Sequence, residues 1–497
     1  MKLLPPASHP ILTCAEALAC ETKRFGGDEA KEWPAMQRAG RAIAHALLRD
    51  YEEIGGFSVA GRVLVLAGKG HNGGDALIAA TVLREKFPAA VVEVLFAFGE
   101  RALRPLAMRA WRELASAGGR QVNHVGLAYD LCLDGVFGFQ FKPPAAGPIA
   151  ALLEQVNARP IRLRAAVDLP SAGLFQADFT YATGSVKTPL LGNTAAGRVR
   201  YLDLGFFDGE SAASKAVDRV LRPAVLAPLA GWRAPSSDKR TYGHVLVVAG
   251  SRDFPGAALM SVLAALRSGA GLVTAFVPES LVAAFAARAP EAMWVGGPET
   301  PTGGLALEGR QLVVAKLKRA TALVIGPGLG RGKETLALVA DLVKSLRVPF
   351  VLDADALQPG VVAAGKAPRV LTPHAGEFLR MAGKAELRAF AKKTGAAVVL
   401  KGSPTRIAGG DGRVYHNFFG GPVLARGGSG DLLAGLIGGL LAQKPDEPML
   451  AAARGVVWHG LAADALARAH GQVAVQTTQL LDFLPAALRA AGAAEAV

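Results

Sequence analysis

The sequence predicts an α/β protein with two domains, each built on a mainly parallel sheet that helices cover on both faces. The chain has 497 residues, which suits two or three domains of about 100–200 residues each. Hydrophobic residues make up 51% of the chain and charged residues 19%, a composition that supports a large core rather than widespread disorder. Short continuous apolar runs alternate with helical patterns, as expected of strands that are covered on both faces.

The first half of the chain shows this alternation from residue 62 onward. The run RVLVLAG (62–68) is typical of a buried strand, and DALIAATVLREKF (75–87) is typical of the helix that follows it. Further strands are predicted at 91–98, 130–138 and 163–170. Alternating strands and helices of this kind predict a parallel sheet in a layered α/β domain.

A second alternation of strands and helices begins after a proline-rich stretch at 221–240. Five apolar runs predict its strands: 244–250, 272–278, 322–328, 349–355 and 396–402. The chain then becomes helical at 428–442 and 450–469. Because the two halves do not repeat one another, we predict two different α/β domains, at 1–222 and 235–497, joined by a linker at 223–234.

The charge and cysteine content narrow the class of protein. The net charge is +14, but the basic residues are dispersed, which favours phosphorylated metabolites over nucleic acid as partners. Three cysteines (Cys14, Cys20 and Cys132) without C-x-x-C spacing favour a reducing compartment and argue against a disulfide framework or a zinc site. Apolar runs are too short for a membrane span, and prolines interrupt the opening MKLLPPASHP. We therefore expect a cytoplasmic protein with no membrane partner.

The loop GKGHNGGDA (68–76) lies between a predicted strand and a predicted helix. Its first six residues fit G-x-G-x-x-G, which alone is weak evidence for a bound phosphate. Gly73 and Gly74 allow a ligand to approach the backbone closely, and Asn72 and Asp75 add polar groups beside it. A cap on the following helix is an alternative role for Asp75.

Two further strand ends carry acids. Asp134 ends one apolar run and Asp168 ends another, just before Ser171. Residues at the carboxyl ends of parallel strands face the ligand crevice. Asn72, Asp134 and Ser171 form an oxygen-rich set suited to a hard cation, and Asp168 is left as a candidate acid or base. Capping of the next helix is the alternative for each acid.

The second half has a stronger signal in ARGGSGDLLAGLIGGLL (425–441). A glycine-rich turn precedes an apolar helix, so the amides of Gly428 to Gly430 can hold an anion. Asp431 follows directly, and a carboxylate there suits a base that takes a proton from a hydroxyl about to be phosphorylated. A capping aspartate is the alternative.

Other strand ends in the second half fit the same chemistry. GPGLG (326–330) is a flexible turn, and His374 and Glu377 lie at a strand-to-helix junction. Lys401, with Ser403 and Thr405 close behind it, offers groups suited to nucleotide phosphates. A structural role for His374 is equally compatible with its position, and the nine histidines show no metal-binding spacing.

Several motifs of the first half resemble the epimerase domain of bifunctional NAD(P)H-hydrate repair enzymes, which is Rossmann-like with three layers. They are WPAMQRAG, GKGHNGGDA, LDGVFG, AVDLPSAGL and ADFTYATGSVKTPLL. The resemblance implies that Asp168 is catalytic and that Asn72, Asp134 and Ser171 hold potassium. It also implies a set of residues that bind the hydrated dinucleotide: His71, Asn72, Gly73, Gly74, Asp75, Gly138 and Asp168.

Seven motifs in order make the second half similar to the ADP- or ATP-dependent NAD(P)H-hydrate dehydratase domain, which is ribokinase-like. They are DKRTYGHVLVVAGS, FPGAALMSVLAALRSGAGLVT, VIGPGLG, VLDADAL, LTPHAGEF, LKGSPT and GGSGDLLAG. The resemblance implies contacts to the hydrated dinucleotide from Ala257, Gly330, His374 and Asp431. It implies contacts to ADP or ATP from Lys401, Gly402, Ser403, Pro404, Thr405 and Gly430.

Together these resemblances predict an enzyme that epimerises the R and S forms of hydrated NADH or NADPH and dehydrates the S form at the expense of ADP or ATP. The expected cofactors are potassium in the first half and magnesium with the nucleotide in the second. A homo-oligomer is expected. Three alternatives stay open: a small-molecule kinase fused to a nucleotide-binding domain, a first half that only binds or scaffolds, and a nicotinamide dehydrogenase.

Overall fold

The chain forms two compact units in a computed structural model that describes residues 5–208 and 216–493. The first unit comprises residues 9–216 together with 467–472. The second comprises residues 217–466 and 473–497 with the N-terminal segment up to Ser8. Parts of the two predicted domains (1–4, 209–215 and 494–497) lie outside the described residues.

The first unit alternates strands and helices as predicted. Its elements in chain order are β1 (Ser8–Leu12), α1 (Cys14–Phe25), α2 (Glu29–Tyr51), β2 (Arg62–Ala67), α3 (His71–Lys86), β3 (Val91–Phe96), α4 (Pro105–Ser116), β4 (Arg120–Gln121), β5 (Tyr129–Gly135), α5 (Gly147–Asn157), β6 (Ile161–Val167), β7 (Phe179–Thr183), β8 (Val186–Lys187) and β9 (Arg198–Leu202). The short strands β1 and β8 pair with one another in parallel.

A parallel sheet forms the centre of the first unit, with the strand order β4-β3-β2-β5-β6-β7-β9. Its neighbouring strands run parallel throughout. In this order, β3 lies on one side of β2, and β5, which comes later in the chain, lies on the other side of β2. In an open parallel sheet such a reversal opens a crevice at the carboxyl ends of the two strands, where ligands bind.

Alternate residues of β2 belong to two separate apolar cores. Val63 and Val65 pack in the core that includes residues of α2, α3 and α4. Leu64 and Leu66 pack in the core that includes residues of α5. Helices therefore cover both faces of the sheet, which gives a three-layer arrangement and explains the continuous hydrophobicity of its strands.

The second unit contains the remaining elements. They are β10 (Asp218–Leu221), α6 (Ala227–Ala230), β11 (His244–Val248), α7 (Pro255–Arg267), β12 (Leu272–Pro278), α8 (Val282–Arg288), β13 (Met293–Gly297), α9 (Arg310–Leu317), β14 (Ala322–Ile325), α10 (Lys333–Ser345), β15 (Phe350–Leu352), α11 (Pro359–Val362), β16 (Arg369–Leu371), α12 (Ala375–Ala382), α13 (Leu387–Thr394), β17 (Ala397–Leu400), β18 (Thr405–Ala408), β19 (Val414–Asn417), α14 (Ser429–Gln443), α15 (Pro448–His470) and α16 (Leu480–Ala493).

The sheet of the second unit has the order β13-β12-β11-β14-β15-β16-β17-β18-β19-β10. It is parallel from β13 to β17, and β18 runs antiparallel to both of its neighbours. An apolar core on one face includes residues of α9, α10 and α13. Helices α7 and α14 pack together against the sheet. This unit is also a layered α/β domain, so the predicted fold class is confirmed.

The division between the units differs from the predicted boundary at residue 222. Residues 218–221 form β10, which pairs in parallel with β19 of the second unit. Part of the predicted linker forms α6, a short helix of the same unit. The strand DRVL is short and half charged, so its sequence gives little sign of a sheet position.

Within residues 5–208 and 216–493, no helix combines the length and the apolar character that a membrane span requires.

Candidate active sites

The glycine loop between β2 and α3 lies against the end of β5. A Cβ atom on Gly68 would lie 2.0 Å from the carbonyl oxygen of Val136, and one on Gly73 would lie 2.3 Å from the carbonyl oxygen of Gly68. Backbone atoms at these distances leave no room for a side chain. The loop therefore needs glycine for a close approach between two strand ends, and α3 begins from it with Gly70 as its N-cap.

A cavity of about 770 Å³ opens at the carboxyl ends of β2, β5 and β6 in the first unit. Its volume falls within the usual range of small-molecule sites. Most of the predicted dinucleotide-binding residues line it: His71, Asn72, Gly73, Asp75, Gly138 and Asp168. The sequence thus identified one wall of a real cavity from the glycine loop and the strand-end acids.

Asp168 lies at the end of β6 in a buried ion pair. Its Oδ1 atom is 2.5 Å from the Nζ atom of Lys187, which also donates to the carbonyl oxygen of Thr183. Burial raises the pKa of Asp168, while the charge of Lys187 lowers it. Asp168 has a φ of 66°, a left-handed conformation that costs energy for a residue with a side chain and is concentrated at functional sites.

Asp75 does not cap a helix, contrary to the alternative drawn from the sequence. Helix α3 begins at His71, so Asp75 lies one turn inside it. The residue is 6% exposed, and its Oδ1 atom has no hydrogen-bond partner among the described residues. Burial, with the charges of Asp168 and Glu21, raises the pKa of Asp75 well above its ordinary value. Asp75 therefore lines the cavity as a buried carboxyl group whose charged form is disfavoured.

Asp134, Ser171 and Asn72 lie together, as predicted. The Ser171 hydroxyl donates to Asp134 Oδ1 at 2.6 Å, and the Ser171 amide donates to Oδ2 at 2.8 Å. The side-chain amide of Asn72 donates to the carbonyl oxygens of Val167 and Phe137, at 2.9 and 3.3 Å. Burial raises the pKa of Asp134 to about 6, although its hydrogen bonds oppose this shift. A cluster of carboxylate, hydroxyl, amide and carbonyl oxygens suits a hard cation.

The remaining predicted residues of the first unit hold the loop in position. His71 Nε2 is 3.2 Å from a carboxylate oxygen of Glu32. A Cβ atom on Gly74 would lie 2.2 Å from the terminal methyl group of Met36, and one on Gly138 would lie 2.8 Å from Asn72 Oδ1. These contacts show that α3 packs closely against α2 and that the loop after β5 packs closely against Asn72.

Asp431 lies in the first turn of α14, after the N-cap Gly428, whose φ of 88° favours glycine. The helix has no side-chain cap, so Asp431 is not a capping aspartate. Burial and the charge of Asp353 raise the pKa of Asp431 to about 6, against the opposing charge of Lys401. A carboxylate with such a pKa is ionised at neutral pH and is a stronger base than an exposed aspartate.

Lys401 lies among carboxylates in the second unit. Its Nζ atom is 2.9 Å from Asp353 Oδ1 and 3.9 Å from Glu377 Oε2. Burial alone would lower the pKa of Lys401, but the carboxylates of Asp353 and Glu377 outweigh it and raise the pKa. A Cβ atom on Gly430 would lie 3.2 Å from Lys401 Nζ. The predicted lysine, the glycine turn and the acids therefore form one cluster.

The turn GPGLG and the acids after β15 lie side by side. The amide of Gly330 donates to Asp355 at 3.1 Å, and a Cβ atom on Gly328 would lie 2.8 Å from the Cβ atom of Ala257. Ala354, which lies between Asp353 and Asp355, has a φ of 50°. The predicted residues Ala257 and Gly330 are thus neighbours of one turn, beside a second strained backbone position.

His374 is the N-cap of α12. Its Nδ1 atom accepts from the amides of Gly376 and Glu377, and Glu377 accepts from the His374 amide in return. The imidazole is largely exposed, and the backbone of His374 bridges to Lys401 at the start of the KGSPT segment. The predicted residues Gly402 and Ser403 of that segment are exposed, while Pro404 and Thr405 are half-buried.

Four residues near these sites were not predicted from the sequence. Lys187 and Glu21 belong to the first unit, and Asp353 and Asp355 belong to the second. Asp353 and Asp355 had a usable signal, since LDAD directly follows an apolar run. Lys187 lies within the motif ADFTYATGSVKTPLL, but neither Lys187 nor Glu21 had a local signal of a site role, because only tertiary structure brings a lysine of β8 and a glutamate of α1 to the end of β6.

Comparison with known protein families finds one match in the first half of the chain and another in the second half. A family model described as NAD(P)H-hydrate dehydratase matches residues 245–486. A second model, described as YjeF-related protein N-terminus, matches residues 34–188. A solved structure similar to the second half is an ADP/ATP-dependent NAD(P)H-hydrate dehydratase from Bacillus subtilis, co-crystallised with ATP and Mg²⁺. It is 33% identical, covers 52% of this chain and 94% of its own, and has a TM-score of 0.46.

Curated relatives match nearly the whole chain. A bifunctional NAD(P)H-hydrate repair enzyme from Moorella thermoacetica is 36% identical over 91% of this chain and 92% of the relative. A protein of the same description from Gloeobacter violaceus is 38% identical over 90% of this chain and 92% of the relative. At this identity and coverage, the chain belongs to the family of bifunctional NAD(P)H-hydrate repair enzymes.

Proposed function

We propose that this chain restores NADH and NADPH whose nicotinamide ring has added water at carbon 6. The second unit dehydrates the S form with ADP or ATP as phosphoryl donor, and the first unit interconverts the R and S forms. The observation that carries this proposal is the cluster of Asp431, Lys401 and Asp353 beside the glycine turn of α14. It combines a base, a cation and an anion-binding turn at one place.

In the dehydratase step, Asp431 takes the proton of the carbon 6 hydroxyl while the hydroxyl oxygen attacks the terminal phosphorus of the nucleotide, and the bond from that phosphorus to the bridging oxygen breaks to release AMP from ADP or ADP from ATP. The amides of Gly428 to Gly430 and the charge of Lys401 stabilise the transferred phosphoryl group. The phosphate then leaves carbon 6 with the C–O bonding electrons. Loss of a proton from carbon 5 restores the ring double bond. Asp431 is suited to the first transfer because its raised pKa makes it a better base while it stays ionised at neutral pH.

The nucleotide in this proposal binds along Lys401 and the KGSPT segment, with Gly402, Ser403, Pro404, Thr405 and Gly430 as further contacts. Ala257, Gly330 and His374 contact the hydrated dinucleotide together with Asp431. The carboxylates of Asp353 and Glu377 flank Lys401 and are hard oxygen donors of the kind magnesium prefers, so they would hold the nucleotide's magnesium. Bound there, the ion would neutralise phosphate charge.

In the epimerase step, Asp168 acts as the acid or base at the carbon 6 hydroxyl group. The dinucleotide binds along His71, Asn72, Gly73, Gly74, Asp75 and Gly138. The oxygens of Asn72, Asp134 and Ser171 fit potassium, which would bind as a structural cation and offset the charge of Asp134. The protein would work in the cytoplasm as a homo-oligomer.

Replacement of Asp431 by asparagine tests the dehydratase half. The full chain is incubated with the S hydrate of NADH, magnesium and either ADP or ATP, and the absorbance of NADH is followed. We expect the wild type to recover NADH, and Asp431→Asn to lower kcat by about 10²–10⁴-fold, the usual contribution of a positioned base. If the wild type consumes nucleotide with another small molecule and recovers no NADH, the chain is a kinase instead.

Replacement of Asp168 by asparagine tests the epimerase half. Pure R hydrate is supplied without nucleotide, and the appearance of the S form is followed by NMR. We expect the wild type to convert the two forms and Asp168→Asn to convert them no faster than the uncatalysed rate. An Asp168→Asn chain as fast as the wild type would make the first unit a binding or scaffolding module.

A further inference from the structure

Besides Glu32, which is paired with His71, the cavity of the first unit is lined by three acidic side chains that influence one another's ionisation. They are Glu21 of α1, Asp75 of α3 and Asp168 at the end of β6. Among the ion pairs of the described residues, these three acids take part in one, between Asp168 and Lys187. One buried cation cannot balance three neighbouring negative charges, so the group must retain protons at neutral pH.

The three acids differ in where they lie. Asp168 contacts the lysine, which makes it the acid that carries the negative charge. Asp75 is almost fully buried with an unpartnered oxygen, which disfavours its charged form. Glu21 is only partly buried, so its carboxyl group can exchange protons with water in the cavity. Glu21 is thus the acid of the three best placed to gain and lose a proton in each catalytic cycle.

The electrostatic surroundings of Glu21 support this assignment. Burial raises the pKa of Glu21 to about 7, with the charge of Lys187 lowering it and the charges of Asp168 and Glu32 raising it. Glu32 is itself paired with His71. Lys69 and Arg104 also line the cavity. A proton-transfer group works best when its pKa is near the working pH.

We propose that Glu21 is a second catalytic residue of the epimerase site and exchanges protons with the carbon 6 hydroxyl as the partner of Asp168. This inference rests on the proposed epimerase function. Glu21 precedes residues 34–188, the range matched by the family model. The proposal gives a catalytic role to α1, a helix whose own sequence contains no recognisable site motif.

Inversion at carbon 6 needs one group that gives a proton and one that takes a proton. Protonated Glu21 donates to the departing hydroxyl, the C–O bond breaks, and the lone pair of the ring nitrogen forms a C=N bond to carbon 6. Water then adds to the other face of carbon 6, the C=N electrons return to nitrogen, and the carboxylate of Asp168 takes the proton released. One water leaves and one enters, so the oxidation level does not change. Proton exchange with solvent resets the two acids.

The test is a comparison of Glu21→Gln with the wild type in the NMR assay that starts from pure R hydrate. We expect kcat to fall by about 10²–10⁴-fold with little change in KM. The wild-type rate should fall as pH rises through about 7, because Glu21 must be protonated. This alkaline limb should be absent from the residual activity of Glu21→Gln, and Glu21→Asp should restore part of the rate.

Lys23→Gln is the matched control, since Lys23 is an exposed residue of the same helix that does not line the cavity. It should epimerise as the wild type does. The dehydratase activity of Glu21→Gln should be unchanged, which shows that the chain has folded. A Glu21→Gln chain with wild-type kcat and pH profile, alongside an inactive Asp168→Asn, would overturn this inference alone. A wild type without epimerase activity would overturn the proposed function of the first unit as well.

Discussion

At the scale of single residues, the base strength of Asp431 is set by the charges around it. Burial and Asp353 raise its pKa to about 6, and Lys401 opposes them. In the proposed mechanism the ionised form of Asp431 takes the proton, so dehydration should slow as pH falls below about 6. Removing the positive charge with Lys401→Gln should raise the pKa further and move this acid limb to higher pH. The limb is measured from kcat at saturating hydrate and nucleotide, and an unmoved limb would contradict the assignment of Asp431 as the base.

The buried pair of Asp168 and Lys187 supports a prediction about stability. Lys187→Met removes the partner of a buried carboxylate, which should cost about 3–5 kcal/mol of the free energy of unfolding. The double change Asp168→Leu with Lys187→Met removes both charges and should cost clearly less. Urea unfolding of the full chain measures both variants. Equal losses in the single and double variants would show that Lys187 acts through packing and not through charge.

Which residues of the two candidate sites the sequence could reveal depended on the local pattern around each one. Asp431 and Asp168 stand directly after a glycine turn and a strand, where local sequence indicates a ligand site. Lys187 and Glu21 stand in β8 and α1, with no such pattern beside them. Their position near Asp168 follows from the way distant segments pack, which a single sequence does not reveal.

At the scale of elements, the position of Asp431 depends on close packing between α7 and α14. A Cβ atom on Gly435 would lie 2.0 Å from the carbonyl oxygen of Ser261, a backbone atom that cannot turn away. Gly435→Ala should therefore push α14 off α7, cost about 1–3 kcal/mol or more, and lower dehydratase activity by shifting Asp431.

Gly360→Ala is the control for this change. Gly360 lies in α11, and a Cβ atom there would meet nothing within 4 Å. Thermal unfolding and the NADH-recovery assay are run on both variants. We expect Gly360→Ala to behave as the wild type. If Gly435→Ala keeps wild-type stability and activity, the helices are not held together as closely as the glycine contact indicates.

The elements predicted best were those with long apolar runs. The strand at 272–278 was predicted to the residue, since both of its faces are covered. Helix α3 begins at His71, and not near Asp75 as predicted. The sequence did not indicate this earlier start because the first turn contains two glycines and an asparagine, which are weak helix formers. The loop contacts that permit this turn come from β5, far away in sequence. The antiparallel strands β18 and β19 are short and carry charged or polar residues, so they lack the continuous apolar run from which the other strands were predicted.

At the scale of the whole molecule, the chain joins two units with two separate sites, and each site can be inactivated alone. From R hydrate, Asp168→Asn should recover NADH only as fast as the uncatalysed epimerisation supplies the S form. Asp431→Asn should convert the R hydrate to the S hydrate but should recover almost no NADH.

A mixture of the two single variants tests whether the substrate passes through solution between the two reactions. If the S hydrate leaves one chain and binds another, the mixture should recover NADH from R hydrate at a rate comparable to that of the wild type at the same number of intact sites. The absorbance of NADH is followed over a range of protein concentrations, with each variant alone as the control. Recovery that stays far below the wild type at every concentration would mean that the hydrate must be handed over within a single chain, and that fusion of the two units serves the reaction itself.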